Sequence, residues 1–325
     1  MCGIYGVLGL NGSAPDAPEL LHRMGIAIRH RGPDDEGSFA EGPLLLGMRR
    51  LSIIDVAGGH QPITGEDGNV VVVCNGEIYN FQALRTELES RGHRFATRSD
   101  TEVVVHGYEE WGPAVLERLS GMFAFGLWDE QAQELFLARD RFGIKPLYYF
   151  AHGDRLLFAS EAKALLAHRE VPREVDWSAV CDYLVYRYVP SPKCIWKGLA
   201  KLPPASWLRL GRDGAVTVRE YWRLPPGDRQ LPFDDAVAAV DAQLESAVRR
   251  HLESDVALGS FLSGGYDSSA LVLYLDRIGY RAETFAVGFA DWPGSEHRYA
   301  ELVAERSGLE HHSRGLGPDR LVLAH

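Results

Sequence analysis

A cysteine directly after the initiator methionine is the first residue of this chain whose type and position suggest chemistry. If Met1 is removed, Cys2 carries a free α-amine and a thiol on the same residue. The ordinary pKa values of these two groups, about 7.7 to 8.0 and about 8.5, lie close together, so a proton passes from the thiol to the amine at little cost. The resulting thiolate is a nucleophile near neutral pH. The alternative is that Cys2 is a small apolar residue of the first strand.

Three polar segments further along the chain contain residue types that could surround such a nucleophile. Asn75-Gly76 offers an amide and a backbone N–H to an oxyanion, but Asn-Gly is also the strongest short signal for a hairpin turn. Arg50 is suited to binding a carboxylate through two nitrogens, or alternatively forms a surface ion pair. Residues 99–102, Ser-Asp-Thr-Glu, match a capping box at a helix start, yet a carboxylate there could instead bind an ammonium group.

A second candidate site lies in the last quarter of the chain. Residues 263–269, here called the phosphate loop, read Ser-Gly-Gly-Tyr-Asp-Ser-Ser between a predicted strand and a predicted helix. Backbone N–H groups and a helix N-terminus bind phosphates in such loops, and glycines let the anion approach the backbone. The absence of a Gly-Lys-Ser/Thr ending excludes a Walker A loop. The alternative is an ordinary βα turn with Asp267 or Ser268 as the N-cap.

Length and composition restrict the class of protein. A chain of 325 residues predicts two domains, and 46% apolar with 24% charged residues is typical of a folded globular protein. The formal net charge of −11 argues against nonspecific binding to nucleic acid or to an anionic membrane. No apolar run approaches the roughly 18 residues of a membrane span, and the first residues lack the features of a signal peptide. We therefore expect a cytoplasmic protein.

The cysteines do not indicate a disulfide framework or a zinc site. Four cysteines are too few to hold together a chain of this size, and none forms a Cys-x-x-Cys pair. They are Cys2, Cys74, Cys181 and Cys194.

The hydrophobic pattern of the first part of the chain predicts a layered α+β domain over residues 2–218. Short β runs are predicted at residues 2–9, 44–50, 70–74, 123–129, 134–139 and 155–160. Helical periodicity is predicted at residues 17–28, 81–91 and 101–111. A proline-rich segment then predicts an exposed linker at residues 219–232.

Residues 233–325 predict an α/β domain. Apolar residues at steps of three and four predict a helix over residues 233–252 with one face toward a core. Strands at 256–262 and 283–289 then alternate with helices at 268–278 and 296–307, the pattern of a parallel sheet. Only two complete βα units and part of a third fit, so a strand edge is left unpaired. Either a partner covers this edge or the chain is a truncated version of something longer.

Seven motifs, in this order, resemble the glutaminase domain of the glutamine-hydrolysing asparagine synthetases. They are Met-Cys-Gly-Ile at residues 1–4, Arg-His-Arg-Gly-Pro-Asp at 29–34, Arg-Leu-Ser-Ile-Ile-Asp at 50–55, Asn-Gly-Glu-Ile-Tyr-Asn at 75–80, Ser-Asp-Thr-Glu at 99–102, Gly-Met-Phe-Ala-Phe at 121–125 and Arg-Asp-Arg-Phe-Gly-Ile-Lys-Pro-Leu-Tyr-Tyr at 139–149. The resemblance implies an N-terminal-nucleophile hydrolase domain, with two stacked sheets between helix layers (αββα).

The phosphate loop resembles the pyrophosphate-binding loop of ATP pyrophosphatases, which cleave ATP between its α and β phosphates. Tyr266 stands where the family usually has leucine. The resemblance implies that residues 233–325 are a partial α/β ATP-pyrophosphatase domain. Later family segments that complete the ATP, magnesium and aspartate sites have no counterpart in these 325 residues, so we expect a C-terminally truncated form.

The resemblance also implies residue roles. Cys2 would be the nucleophile, with Asn75 and Gly76 as the oxyanion hole. Arg50 would bind the glutamine α-carboxylate, while Glu77 and Asp100 would receive its α-amino group. Asn75 would also contact glutamine. Asp267 would lie near Mg²⁺ or pyrophosphate. The residues expected to contact ATP are Leu262, Ser263, Gly264, Gly265, Asp267, Ser268 and Val287.

Together these features favour ATP-dependent conversion of aspartate to asparagine with ammonia released from glutamine. ATP and Mg²⁺ are the implied cofactors, and glutamine, aspartate and ATP are the implied substrates. No nucleic-acid or membrane partner is expected, and a homodimer is plausible because of the bare sheet edge. Two alternatives keep the Cys2 chemistry: a glutaminase alone, or an amidotransferase acting on another carboxylate, such as a polysaccharide or natural-product precursor. A noncatalytic nucleotide-binding protein is the remaining alternative.

Overall fold

The computed structural model describes residues 1–9, 17–212, 214–227, 230–289 and 296–316. The chain separates into two compact units, Met1–Pro226 and Gly227–His325. The finer limits drawn from the sequence, with a linker at 219–232, stay a prediction.

Two six-stranded antiparallel sheets form the framework of the first unit, with strand orders β10-β8-β9-β1-β3-β2 and β12-β11-β7-β6-β5-β4. The strands are β1 Gly3–Gly9, β2 Asp35–Glu41, β3 Leu44–Arg50, β4 Ile63–Thr64, β5 Val70–Ile78, β6 Gly121–Asp129, β7 Glu134–Arg139, β8 Tyr148–His152, β9 Arg155–Ala159, β10 Ala200–Lys201, β11 Ser206–Leu210 and β12 Val216–Glu220. Each strand predicted from the sequence is present. β2, β4, β8 and β10–β12 were not predicted from the sequence.

Helices cover the outer faces of the two sheets. They are α1 Ala17–Ala27, α2 Phe81–Ser90, α3 Glu102–Trp111, α4 Val115–Arg118 and α5 Ala162–Leu165, with short 3-10 turns at Arg29–Arg31 and Gly112–Ala114. A further helix, α6 Trp177–Tyr186, is mostly exposed, with Ala179 buried. One apolar cluster fills the space between the sheets, a second lies under α2 and α3, and a third lies under α1 and α5. The predicted αββα layers are therefore confirmed.

Strand β5 shows why this layering follows from the sequence. Successive side chains of a strand point to opposite faces. Val71 and Val73 accordingly pack between the sheets, while Val72 and Cys74 pack toward α2 and α3. Because both faces of the sheet are covered, the strand is a continuous apolar run rather than an alternating one.

The second unit is built on a parallel three-stranded sheet of order β13-β14-β15, which confirms the α/β prediction. Its elements are α7 Phe233–Arg250, β13 Gly259–Phe261, α8 Tyr266–Arg277, β14 Glu283–Phe289, α9 His297–Ser307 and β15 His311–Leu316. The sequence did not predict β15, which is mostly polar. The strand predicted at 256–262 is only three residues long, and Val256 is exposed.

The apolar stripe of α7 faces a core only at its C-terminal end. Val248 is buried against Leu275 and Ala282, with Leu252 packed beside them. The earlier part of the stripe is exposed, up to 81% for Phe233, so the prediction that the whole face packs on a core was wrong. Within the described ranges, no helix is long and apolar enough to cross a membrane.

Phe158 of β9 joins the two sheets, and its removal provides a test of the layering. The ring is fully buried, and a Cβ added at Gly6 of β1 or at Gly126 of β6 would overlap it. Phe158→Ala should lower the free energy of unfolding of the first unit by about 3–5 kcal/mol, because apolar contact is lost and a cavity remains. Phe142→Ala, at a side chain that is 67% exposed, should change it by less than about 1 kcal/mol. Urea unfolding measures both values, and similar losses would contradict this account.

Candidate active site

Cys2 lies immediately before β1, where the chain enters the sheet. β1 pairs with β3 on one side and with β9 on the other. Arg31 donates a hydrogen bond from Nε to the Cys2 carbonyl at 2.8 Å and pairs through Nη1 with Glu161 at 3.0 Å. The Cys2 sulfur lies 3.4 Å from the Leu51 amide nitrogen and 3.5 Å from the Leu51 carbonyl oxygen. These contacts fix the thiol at the end of the strand.

Cys2 packs against the core between the sheets and also faces a cavity, here called the Cys2 cavity. Burial raises the pKa of the Cys2 thiol, whereas its hydrogen bond with the Leu51 backbone and nearby positive charges oppose this rise. Those charges belong to the N-terminal amine, Arg50 and Lys145. The cavity is lined by Met1, Cys2, Arg50, Leu51, Ile53, Ile54, Gln61, Cys74, Asn75, Gly76, Glu77, Ser99, Asp100, Thr101 and Lys145.

Asn75 and Gly76 lie inside β5, so the hairpin-turn interpretation of Asn-Gly was wrong. They pair with Ala124 and Phe123 of β6. A Cβ on Gly76 would overlap the backbone of β6, so close pairing requires glycine here. The Asn75 side chain is 1% exposed and lines the Cys2 cavity, and neither of its amide atoms has a hydrogen-bond partner among the described residues. A buried amide without partners is costly and is expected where a ligand supplies them.

Arg50 ends β3 beside this amide and is buried. Its Nη2 donates to the carbonyls of Ile54 and Asp55 at 2.8 Å, and its Nη1 donates to that of Val56 at 3.3 Å. Within the described part of the chain it forms no ion pair, so the surface ion-pair alternative was wrong. Its charge is thus held at the cavity by neutral carbonyl groups.

Asp100 provides the opposite charge. Its Oδ2 accepts a hydrogen bond from the Ile78 N–H at 2.7 Å. Burial and the neighbouring Glu77 charge raise the pKa of Asp100 to about 6, while the Ile78 hydrogen bond acts against this rise. Glu77 lines the same cavity. At neutral pH the cavity therefore contains carboxylates as well as the Arg50 guanidinium.

The capping box expected at residues 99–102 does not form. Helix α3 begins at Glu102, and its N-cap, Thr101, makes no side-chain cap. The Glu102 carboxylate instead accepts hydrogen bonds from the N–H groups of Ala96 and Thr97 and from the Thr97 hydroxyl. The Asp100 side chain is consequently free of the cap and faces the cavity.

Sequence reasoning assigned no role to four polar residues of the cavity, namely Ser99 and Thr101 beside Asp100, and Gln61 and Lys145. Gln61 is buried, accepts from the Cys74 N–H at 2.7 Å and donates to Thr101 Oγ1 at 3.4 Å. Lys145 is 4% exposed, although lysine is rarely buried without a partner. Its position in the motif at 139–149 was visible, but only the fold places its charge beside Cys2.

The predicted ATP residues lie around one cleft of the second unit. Leu262, Ser263 and Val287 line a cleft of about 470 Å³ at the carboxyl ends of β13 and β14. Such an edge is where ligands bind in open α/β sheets. The remaining predicted residues, Gly264, Gly265, Asp267 and Ser268, form the loop and the first turn of α8 that follow.

The phosphate loop is shaped by local contacts. Gly264 has φ +81°, and a Cβ there would overlap α9 at Tyr299 and Ala300. The Ser263 and Ser268 hydroxyls are 3.0 Å apart, and Ser268 Oγ accepts from the Ser263 N–H at 3.2 Å. The N-cap of α8 is Gly265 without a side-chain cap, so the Asp267 or Ser268 N-cap alternative was wrong. Tyr266 is 97% exposed and fills no packing position.

Comparison with known families agrees with this geometry. The family described as "Glutamine amidotransferase domain" matches residues 1–222. The chain belongs to this glutamine amidotransferase family. A second family, described as "Asparagine synthase", matches residues 239–324. Both units thus resemble known domains, and the first match contains every predicted residue of the Cys2 cavity.

Curated relatives carry both regions. Glutamine-hydrolyzing asparagine synthetase 1 of Bacillus subtilis (strain 168) is 39% identical over 325 residues, covering 99% of this chain and 51% of that protein. Synthetase 3 of the same organism is 36% identical over 340 residues, covering 99% of this chain and 55% of that protein. The chain thus spans about half the length of the curated relatives that it matches.

A solved structure described as the allosteric regulatory enzyme of purine biosynthesis has a similar fold. Its TM-score is 0.50 at 17% identity, and the match covers 97% of this chain and 80% of that chain. At this identity the likeness concerns the fold alone.

Replacing Asp100 should change the pH dependence of stability in a defined direction. Because the pKa of Asp100 is raised from 3.8 to about 6, the folded chain retains a proton that the unfolded chain releases between these values. As pH rises through this window, the wild type should lose up to about 3 kcal/mol of stability relative to Asp100→Asn. Urea unfolding of both proteins near pH ~4 and ~7 measures the difference. A stability difference that is the same at both pH values would show that the Asp100 pKa is ordinary.

Proposed function

We propose that the first unit hydrolyses the side-chain amide of glutamine at Cys2, and that the ammonia serves an ATP-dependent conversion of aspartate to asparagine. The observation that carries the proposal is the Cys2 cavity, which combines a thiol, charges of both signs and a buried amide with no partner among the described residues. The names of the relatives, glutamine-hydrolyzing asparagine synthetases, support the same reaction.

Free glutamine is a zwitterion, so its binding site needs a cation and an anion. Arg50 binds the α-carboxylate through the guanidinium N–H groups that do not donate to the loop carbonyls. Asp100 and Glu77 receive the α-ammonium group, and the Asn75 oxygen is available to it as a further acceptor. Acidification below the raised pKa of Asp100 weakens this second clamp. These contacts place the side-chain amide of glutamine toward Cys2.

The reaction begins once Met1 is removed and the α-amine belongs to Cys2. The amine takes the thiol proton, and the thiolate attacks the amide carbon. The Asn75 amide and the Gly76 N–H stabilise the oxyanion that forms. The carbon–nitrogen bond then breaks, the α-ammonium returns a proton to the departing nitrogen, and ammonia leaves a thioester on Cys2. Water hydrolyses this thioester to glutamate. Burial raises the pKa of the Cys2 thiol, and the Lys145 charge acts against this rise and so favours the thiolate.

The second unit contributes the nucleotide site of the proposal. The residues present fit a phosphate group, because Gly264 keeps the loop open for close backbone approach and two serine hydroxyls line it. Val287 and Leu262 supply apolar surface for the adenine at the cleft. Asp267 in the first turn of α8 would hold Mg²⁺, which neutralises phosphate charge when bound. ATP, aspartate, Mg²⁺, a homodimer and a cytoplasmic location all belong to this proposal.

Isotope tracing tests the proposal directly. The chain is incubated with amide-¹⁵N glutamine, aspartate, ATP and Mg²⁺, and the products are identified by mass spectrometry. Labelled asparagine with pyrophosphate is expected. Labelled ammonia and glutamate without ATP consumption would instead mean a glutaminase alone, and labelled amide on another carboxylate would mean a different acceptor. Cys2→Ala should abolish glutamate release while any ammonia-dependent synthesis continues, and equal loss of both activities would contradict the assignment of Cys2.

Asn75→Ala should reduce kcat for glutamate release by about 10²–10³-fold, the usual effect of removing one oxyanion donor. The reason is that the Asn75 amide bonds most strongly to the charged oxygen of the transition state. Asn69→Ala, in the turn before β5 and outside the cavity, is the matched control and should leave kcat unchanged. Steady-state glutaminase assays measure both. An increase in KM with an unchanged kcat would assign Asn75 to ground-state binding only.

A further inference from the structure

Four side chains outside the Cys2 cavity bring nitrogen and oxygen ligand atoms together, and we call them the His–Glu cluster. They are Glu66, His93, His106 and Glu109, and one ligand atom of each lies within 4.8 Å of the others. His106 and Glu109 are three residues apart on α3 and so share one face of it. Glu66 follows β4 and His93 follows α2. The cluster therefore joins three separate segments.

The distances between these atoms are close to those of a tetrahedral metal site. His106 Nδ1 lies 2.9 Å from Glu66 Oε2 and 2.9 Å from Glu109 Oε2. His93 Nδ1 lies 3.4 Å from Glu66 Oε1 and 3.6 Å from Glu109 Oε2. A tetrahedral Zn²⁺ with bonds of about 2.0–2.1 Å separates its ligands by about 3.3 Å. Small movements of side chains would thus complete the coordination.

Each histidine presents Nδ1 to the cluster and Nε2 to a further carboxylate. His106 Nε2 lies 3.5 Å from Glu102 Oε1, and His93 Nε2 lies 3.4 Å from Glu110 Oε2. An outer carboxylate that holds the second ring nitrogen is the usual support of a metal-binding histidine, since it fixes the tautomer and ring orientation. In the His–Glu cluster a carboxylate lies beside the outer nitrogen of both rings, at separations of 3.4 and 3.5 Å that are longer than a normal hydrogen bond and would have to shorten on metal binding.

Some buried polar atoms of the cluster have no hydrogen-bond partner among the described residues. His106 is 1% exposed, and His93 Nδ1 and Glu109 Oε1 have no hydrogen-bond partner among the described residues. A Cβ on Gly65 would overlap Glu109 Oε1, so glycine at this position admits the carboxylate. Buried polar atoms without partners are costly unless a ligand supplies the missing interaction.

We propose that Glu66, His93, His106 and Glu109 bind one divalent transition-metal ion of the Zn²⁺ type. Mixed imidazole and carboxylate ligands suit Zn²⁺ better than Mg²⁺ or Ca²⁺, which take oxygen ligands. The ion ties α3 to the turn between β4 and β5 and to the segment after α2. Since residues 99–101 of the Cys2 cavity precede α3 directly, the ion also braces that wall of the cavity. The site is independent of the proposed glutamine chemistry.

A proton on His106 is the competing explanation. Burial alone would lower the pKa of His106, but hydrogen bonds with Glu102 and Glu109 and the charge of Glu66 raise it to about 9. An imidazolium among carboxylates would then hold the cluster together without a metal. The two explanations differ in one respect: only the proposed metal site predicts that each chain binds one metal ion.

Metal is first removed from the full chain with a chelator and dialysis. Zn²⁺ binding is then measured by calorimetry and by competition with a chromophoric chelator. One Zn²⁺ ion per chain should bind, and it should raise the melting temperature of the protein. His93→Gln and, separately, His106→Gln should abolish this binding and its thermal shift. Glu110→Gln, which removes only the outer support of His93, should weaken binding by about 10–100-fold. Co²⁺ in place of Zn²⁺ should show the visible absorption of a tetrahedral site.

His312→Gln is the matched control, because His312 with Glu283 and Glu310 forms an exposed group of the same residue types. This variant should still bind one Zn²⁺ ion per chain as tightly as the wild type. Loss of Zn²⁺ binding in His312→Gln, or unchanged binding in a folded His93→Gln variant, would overturn the proposal. Absence of a stoichiometric equivalent in the wild type would also overturn it and would favour the protonated His106. Circular dichroism confirms that each variant is folded before it is titrated.

Discussion

The pairing of β1 on both of its edges is the constraint on which the candidate active site depends. With β3 on one side and β9 on the other, β1 is an interior strand whose residues are all buried. At its start, Gly3 pairs with Arg49 of β3, and the Ile4 carbonyl accepts a hydrogen bond from the Ser160 N–H at 2.9 Å, so this end of the strand is bonded on both sides. Cys2 is held at this end, and β3 ends beside it with Arg50. A nucleophile on the mobile end of a chain is thereby made as rigid as the core.

This arrangement buries polar and charged side chains, which lowers the stability of the folded chain. Asn75 lies in an interior strand, and its amide has no partner in the part of the chain that the structure describes. Asp100 has a pKa raised mainly by burial, and Lys145 is nearly inaccessible. Each of these groups destabilises the folded chain unless something occupies the cavity. The surrounding apolar layers, with Phe158 between the sheets, supply the stability that offsets them. A ligand with both charges relieves the same costs, which links binding to stability.

The second unit shows a different balance. Helices α8 and α9 cover one face of its sheet. Exposed apolar side chains remain at Phe261, Phe285, Val287 and Phe289. The alternating burial of β14 reflects this one-sided packing. The phosphate loop nevertheless has a defined shape, because it depends on the local contact of Gly264 with α9 and on its own serine hydrogen bonds. The phosphate loop thus keeps its conformation through local contacts, although few apolar side chains pack around the sheet that carries it.

The sequence by itself determined the local features: the strands and helices with strong periodicity, the α+β and α/β classes and the phosphate loop. These follow from patterns within ten or twenty residues of the chain. Through the family resemblance it also named six of the fifteen residues that line the Cys2 cavity. Only the tertiary structure decided that Asn75-Gly76 continues a strand, that Ser99–Glu102 is not a cap, and that most of the α7 stripe is exposed. It alone brought Lys145 to Cys2 and His93 to His106. Strand register and helix packing set these long-range contacts, and no short segment encodes them.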